Sequence, residues 1–238
     1  MEDGKPIRLY PVGLRYLARE RQYQLYNWVE VPVRRNTSDP RPESYKVIAD
    51  RAQIVGKADT ANGWEDRRAI VFADGSWHYD CLQDLKAKQQ SGRSSLGLVG
   101  VGSVQDVWLE NRPASDKEKH DRKLRALQER IDLFGVEQKS LEFIPFRVHV
   151  RWRCSRQAGL NACPGHTASV LDWGLLELGR REGAEKALQK MQALTDLSRY
   201  DLRFFMGNFF RRQHIFGIIG LWYPLIAHQP HPTLFDTI

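Results

Sequence analysis

The residues best equipped for chemistry stand close together: Cys154, Cys163 and His166, around the Pro164-Gly165 turn in "HVRWRCSRQAGLNACPGHTASVLDWG", residues 149–174. Thiolate and imidazole are the ligands that tetrahedral zinc takes, and Cys-x-x-His is a workable half-site. Three ligands leave a structural site one short, so the expected fourth is Asp172, just beyond, or His214, further along the chain. The same atoms suit a second chemistry, in which His166 holds Cys163 as a thiolate nucleophile and Asp172 or Asn208 orients the pair. His166, Asp172 and His214 are therefore the candidate catalytic residues. A purely structural reading is two buried thiols and an imidazole that donates to a backbone carbonyl. Asp172 has a structural reading too, because a helix capped by Ser169 would place it where a carboxylate meets the helix dipole.

Immediately before this stretch, "FIPFRVHVRWRC" alternates cleanly. Phe146, Val148, Val150, Trp152 and Cys154 face one way, and Arg147, His149, Arg151 and Arg153 the other. Residues two apart on a strand are about 6.6 Å apart, close to the phosphate repeat of one nucleic-acid strand. Arg147, His149, Arg151 and Arg153 are thus candidate nucleic-acid contacts, with His149 in phosphate binding or proton transfer rather than on a metal. Arg211 and Arg212, in the turn of "DLRFFMGNFFRRQHIFGIIGLWY", are candidates to extend the patch, as is Arg203. The alternative is a solvated face whose arginines pair with acidic residues of a covering helix such as "LGRREGAEKALQK".

Elements that would position these residues can be read on either side. Before Asn111 the chain is β-rich: "YNWVEVPVRR", "ESYKVI", "AQIVGKA", "RRAIVFA" and "GLVGVGSVQDVWL" are β-branched or aromatic runs separated by turn residues, with one helix at "YDCLQDLKAKQQ". A small, partly closed sheet is the expected arrangement. After "NRPASDKEKHDRK", Ser115 and Glu118 form a capping box for a helix carrying Leu124, Leu127, Ile131 and Phe134 and ending at Gly135. The strand at 146–154 follows, then a helix from about Ser169 to Leu194, loosened at Gly179 and Gly183, then a buried hairpin. The expected fold class is α+β, with a β-rich module at 1–112 and a helix-strand-helix-strand-strand domain at 113–238, or else one single domain. Asn208, polar within the hairpin, must be hydrogen-bonded.

The chain of 238 residues carries 36 Lys and Arg against 29 Asp and Glu, and 19 of the basic and 14 of the acidic side chains lie in residues 113–238. A basic excess concentrated there points to a polyanionic partner. Three cysteines are too few for a disulfide framework, and no apolar run is long enough to span a bilayer, so a cytoplasmic protein without membrane contact is expected. Walker, nucleophile-elbow, HExxH and dinucleotide signatures are missing, which disfavours nucleotide-driven motors and common hydrolases. Asp132 with Glu137-Gln138-Lys139 imitates a nuclease pattern, but on a helix end and a turn rather than on neighbouring strands. The tail "AHQPHPTLFDTI" either docks on its own domain or presents a motif to a protein partner. The reading that organises these features is a nucleic-acid-binding protein using a basic sheet face. A metal-dependent hydrolase, most plausibly a nuclease, and a protein-interaction scaffold are the alternatives.

Overall fold

The computed structural model describes residues 4–9, 24–47, 52–131, 142–155 and 162–228. The first of these carry β1 (Arg8–Leu9), β2 (Asn27–Glu30), β3 (Val33–Arg35), β4 (Ser44–Val47) and β5 (Gln53–Lys57). Among the described residues they form two small sheets, β1-β4-β3 and β2-β5. The β3-to-β4 turn is held by Asp39, whose carboxylate accepts from the Arg41 amide and guanidinium and from the Ser44 hydroxyl at 2.6–3.1 Å. "RRAIVFA", expected as a strand, belongs instead to α1 (Ala61–Val71) and the residues just after it. Its β-branched residues follow the packing: Val71 is buried with Phe72 against Trp77, Leu98 and Trp222, and tertiary contact overrides a weak local preference.

Next come β6 (His78–Tyr79), α2 (Leu82–Gln90), the long β7 (Leu96–Asn111) and α3 (Ala114–Ile131). They are followed by β8 (Phe146–Cys154), β9 (His166–Val170), α4 (Trp173–Glu182), α5 (Ala184–Ala193), β10 (Arg203–Phe209) and β11 (Arg212–Trp222). The fold is mixed α+β. β7 pairs with β10 through its first residues, Leu96 to Gly100, and with β8 from Val101 to Asn111. β8 then pairs with β9, β9 runs parallel to β11 at Val170 and Ile218, and β11 returns to β10. The result is a closed five-stranded barrel in the order β7-β8-β9-β11-β10-β7. Numbered within the barrel the order is 1-2-3-5-4-1, with the helices between the third and fourth strands. Asn111 pairs with Phe146, so the strands before and after Arg112 are neighbours in one sheet.

The second part thus runs helix, strand, strand, helix, helix, strand, strand, which corrects the expected helix-strand-helix-strand-strand order. The helix expected from Ser169 is preceded by a strand: Ser169 lies in β9, and Asp172 is the true cap of α4, accepting from the Leu175 amide at 2.8 Å. Gly183, with φ of 99°, separates α4 from α5. Gly179 is a packing position, since a Cβ there would lie 2.3 Å from the Phe146 ring. The expected alternation of β8 holds: Phe146, Val148, Val150, Trp152 and Cys154 are at most 5% exposed and meet Leu175, Met191, Phe204, Met206 and Ile218 in one core. Each large side chain so buried contributes about 1.5–3 kcal/mol.

The first module is tied to the barrel at the start of β7 and the end of β10. Arg8 donates to the Ser95 carbonyl at 2.7 Å, Glu43 accepts from the Ser95 amide and hydroxyl at 2.7 Å each, and Arg41 donates to the Asn208 carbonyl at 3.1 Å. Trp64 packs edge-on against Trp222 and Tyr223. No helix among the described residues is long and apolar enough to cross a membrane. Gly135, Asp132, Glu137 to Lys139 and the C-terminal tail from residue 229 lie outside the described residues.

Candidate metal centre and basic barrel face

All three cysteines of the chain converge with one histidine. Cys81 directly precedes α2, Cys154 is the last inward-facing residue of β8, Cys163 precedes the turn, and His166 opens β9 opposite Trp152. Gly165 takes φ of 96°, a conformation that favours glycine and lets the chain double back between Cys163 and His166. The four ligand atoms lie within 4.8 Å of one another. Cys163 Sγ is 3.2 Å and Cys81 Sγ 3.6 Å from His166 Nε2. In a tetrahedral zinc site, bond lengths near 2.3 Å to sulfur and 2.0–2.1 Å to nitrogen imply sulfur-to-nitrogen edges of about 3.6 Å. This buried Cys3His cluster could hold a metal ion.

The polar surroundings favour ligation. Leu82 donates its amide to Cys154 Sγ at 3.4 Å, and Cys154 donates its own to Cys163 Sγ at 3.2 Å. Burial pushes the Cys81 and Cys154 thiols up, so a cation must supply the charge that draws their protons off. At Cys163 burial is opposed by the amides of Cys154 and Gly165, and the thiol ends below its ordinary range. Burial, and then the charge of Lys86, lower His166 to about 4, leaving at neutral pH the uncharged ring that binds metals.

The fourth ligand corrects the sequence reading. Asp172 is occupied in capping α4, with burial pushing its carboxyl up, and His214 lies exposed on β11 outside the cluster. Cys81, seventy-three residues before Cys154, takes the place expected for them. Its signal was the third thiol of the chain standing at a helix start. Asn208 is also structural: its Nδ2 donates to the Gln213 carbonyl at 3.0 Å, and its Oδ1 faces Arg8.

On the opposite side of β8 the four basic residues point outward but differ in their partners. Arg147 is ion-paired with Glu110 on β7 and Asp116 on α3. His149 Nε2 is 2.7 Å from Glu110, and its ring stacks on Trp108 at 5.3 Å. Arg151 and Arg153 are exposed and, among the described residues, without an ion pair; Arg151 lies over the Trp108 ring. Both line an open groove of about 320 Å³ with Gly165, His166 and Thr167, so the groove wall includes a member of the Cys3His cluster. The alternative of arginines paired with a covering helix thus holds for Arg147, through Asp116 of α3, while in α4 Glu177 pairs with Arg180 and Arg181 of its own helix. Arg203 sits apart, bonded to Asp201 at 2.9 Å, while Arg211 and Arg212 form the exposed β10–β11 tip.

Residues 78–238 match the family model described as Domain of unknown function (DUF8757), and residues 1–73 match Domain of unknown function (DUF8758). No curated protein and no solved structure matches. The first match takes in the whole barrel and all four residues of the Cys3His cluster.

Proposed function

The chain belongs to the DUF8757 family over residues 78–238, and we propose that this part is a nucleic-acid-binding barrel whose Cys3His centre holds structural zinc. The observation that carries this reading is the pair Arg151 and Arg153, exposed and, among the described residues, without an ion pair, beside a groove on the outer face of the second barrel strand. The strand order resembles that of oligonucleotide/oligosaccharide-binding (OB) barrels, in which the face of the second and third strands receives oligonucleotides. Zinc suits three sulfurs and one nitrogen, and three buried thiols with one half-buried imidazole supply the four protein ligands of a closed, structural site. Hydrolysis at a metal requires an open position for water or substrate, so the same closure argues against a metal-dependent nuclease at this centre.

The two metal-linked turns sit at the ends of the strands that carry the groove. Cys154 follows Arg153, and His166 precedes Thr167. The metal would fix the β8–β9 connection and leave the chemistry of recognition to the arginines. Titration of a fluorescent oligonucleotide into the metal-loaded protein tests the reading. Binding that weakens steeply with salt and is lost in the double variant Arg151→Ala, Arg153→Ala is the expected result. Unchanged binding in that variant overturns it.

A further inference from the structure

The outward row of β9 leads away from the arginine groove to a second, apolar surface. Thr167 lines the groove, Ser169 is paired with His149, and Leu171 comes next on the same side. Four residues of strand separate Thr167 from Leu171, about 13 Å or the span of about two nucleotides. Leu171 reaches over β11: a Cβ placed on Gly217 would lie 2.9 Å from Leu171 Cδ1 and 3.2 Å from Phe209 Cζ. Leu171 and Phe209 therefore converge over a glycine floor, and Ile215 and Ile219 flank it on the outward side of β11. All four side chains are between 36% and 42% exposed.

The rim of this shelf is basic, and among the described residues Arg211 and Arg212 have no ion pair. Arg211 and Arg212 at the hairpin tip are exposed, and the stretch from Arg203 to Trp222 contains no acidic residue. Phe210 is 48% exposed, with the Arg41 guanidinium of the first module, itself paired with Asp39, 5.5 Å from its ring centroid. Exposed aromatic rings next in the chain to the exposed Arg211 and Arg212 suit unstacked bases between phosphates. A duplex, with its bases stacked inside and its phosphates on the outside, cannot use such rings.

We propose that this shelf is a base-binding subsite for single-stranded nucleic acid, continuous with the arginine groove. The strand would set its phosphates on Arg151 and Arg153, cross β9 at Ser169, and stack bases on Phe209 and Phe210 with Arg211 and Arg212 holding the backbone. The proposal rests on the nucleic-acid-binding reading given above and adds the strandedness of the ligand and the direction of its path.

The test is fluorescence anisotropy on the metal-loaded full chain, with oligothymidylates of about four and about twelve nucleotides. Phe209→Ala and Phe210→Ala are surface changes, and their melting temperatures establish that the barrel persists. Each is expected to weaken the longer probe about tenfold and the shorter one much less, since a four-nucleotide strand is satisfied by the groove. A twelve-nucleotide duplex is expected to bind more weakly than the single strand of that length. Wild-type affinity of both phenylalanine variants for the longer probe, with binding still lost in the double arginine variant, overturns the subsite and leaves the groove intact. Equal or tighter binding of the duplex overturns the single-strand assignment. Failure of the wild-type protein to bind any of these probes overturns the underlying reading as well.

Discussion

Cys163 and His166 face each other across the Pro164-Gly165 turn with Sγ and Nε2 3.2 Å apart, and Cys81 approaches the same nitrogen to 3.6 Å from the start of α2. The contact joins a local hairpin to a segment that enters the barrel before its first strand. A metal at this point would staple chain separated by more than seventy residues, which is where a crosslink removes most unfolded-state freedom. Elemental analysis is therefore expected to give about one zinc per chain for the wild type and for His214→Ala, and much less for Cys81→Ser. Chelation should lower the melting temperature by about 10 °C, equivalent to about 4 kcal/mol of linked binding energy in a domain of this size.

The arginines of β8 divide into anchored and free. Arg147 holds Glu110 and Asp116 together, so Arg147→Ala should leave Glu110 with His149 alone and Asp116 with Arg112 alone and lower stability by about 1 kcal/mol. Arg151→Ala and Arg153→Ala should leave the melting temperature within a degree or two. Each should instead weaken oligonucleotide binding and reduce the slope of log affinity against log salt by about 1. Paired thermal melts and salt-dependent titrations of the three variants separate the roles. Equal losses of affinity in all three would mean that the ion pairs of Arg147 open on binding.

Period-two alternation made β8 legible in the sequence, because its inward residues are large and apolar and its outward ones charged. The next strand, "HTASV", carries small and hydroxyl side chains that give no such contrast, and Ser169 looks like a helix cap. What makes it a strand is the partner already laid down by Val148 to Trp152, which no local pattern records. Barrel closure was equally hidden. β7 changes partner from β10 to β8 near Gly100 and Val101, and both partners come much later in the chain. The half-site of Cys163 and His166 was readable because four residues contain it. Cys81 was missed because its place depends on that same closure.

Gly179 offers a direct measure of how tightly the helices plug the barrel. A methyl group there would sit 2.3 Å from Phe146 Cζ and 3.0 Å from Ala187 Cβ, and both neighbours are buried. Neither can swing into solvent, so the cost of overpacking outweighs the gain in helix propensity of about 1 kcal/mol from replacing glycine. Gly179→Ala is expected to destabilise by about 1–3 kcal/mol in urea unfolding. Stabilisation instead would show that α4 can shift away from the Phe146 end of β8.

Asp39 should make the stability of the first module depend on pH in one direction only. Burial would raise its carboxyl, but hydrogen bonds from Arg41 and Ser44 outweigh that and hold it down at about 2, against 3.8 for the free group. A folded-state value below the unfolded one means that the unfolded chain binds the proton more readily. The stabilisation is then complete above about pH 4 and disappears as pH falls towards 2. After allowance for solvent screening it amounts to about 1–2 kcal/mol. Asp39→Asn should thus be less stable than wild type by that amount at neutral pH, with the gap closing between pH 4 and pH 2 in denaturant titrations. A gap that stays constant through this range would assign the effect to lost hydrogen-bond geometry at Ser44 rather than to charge.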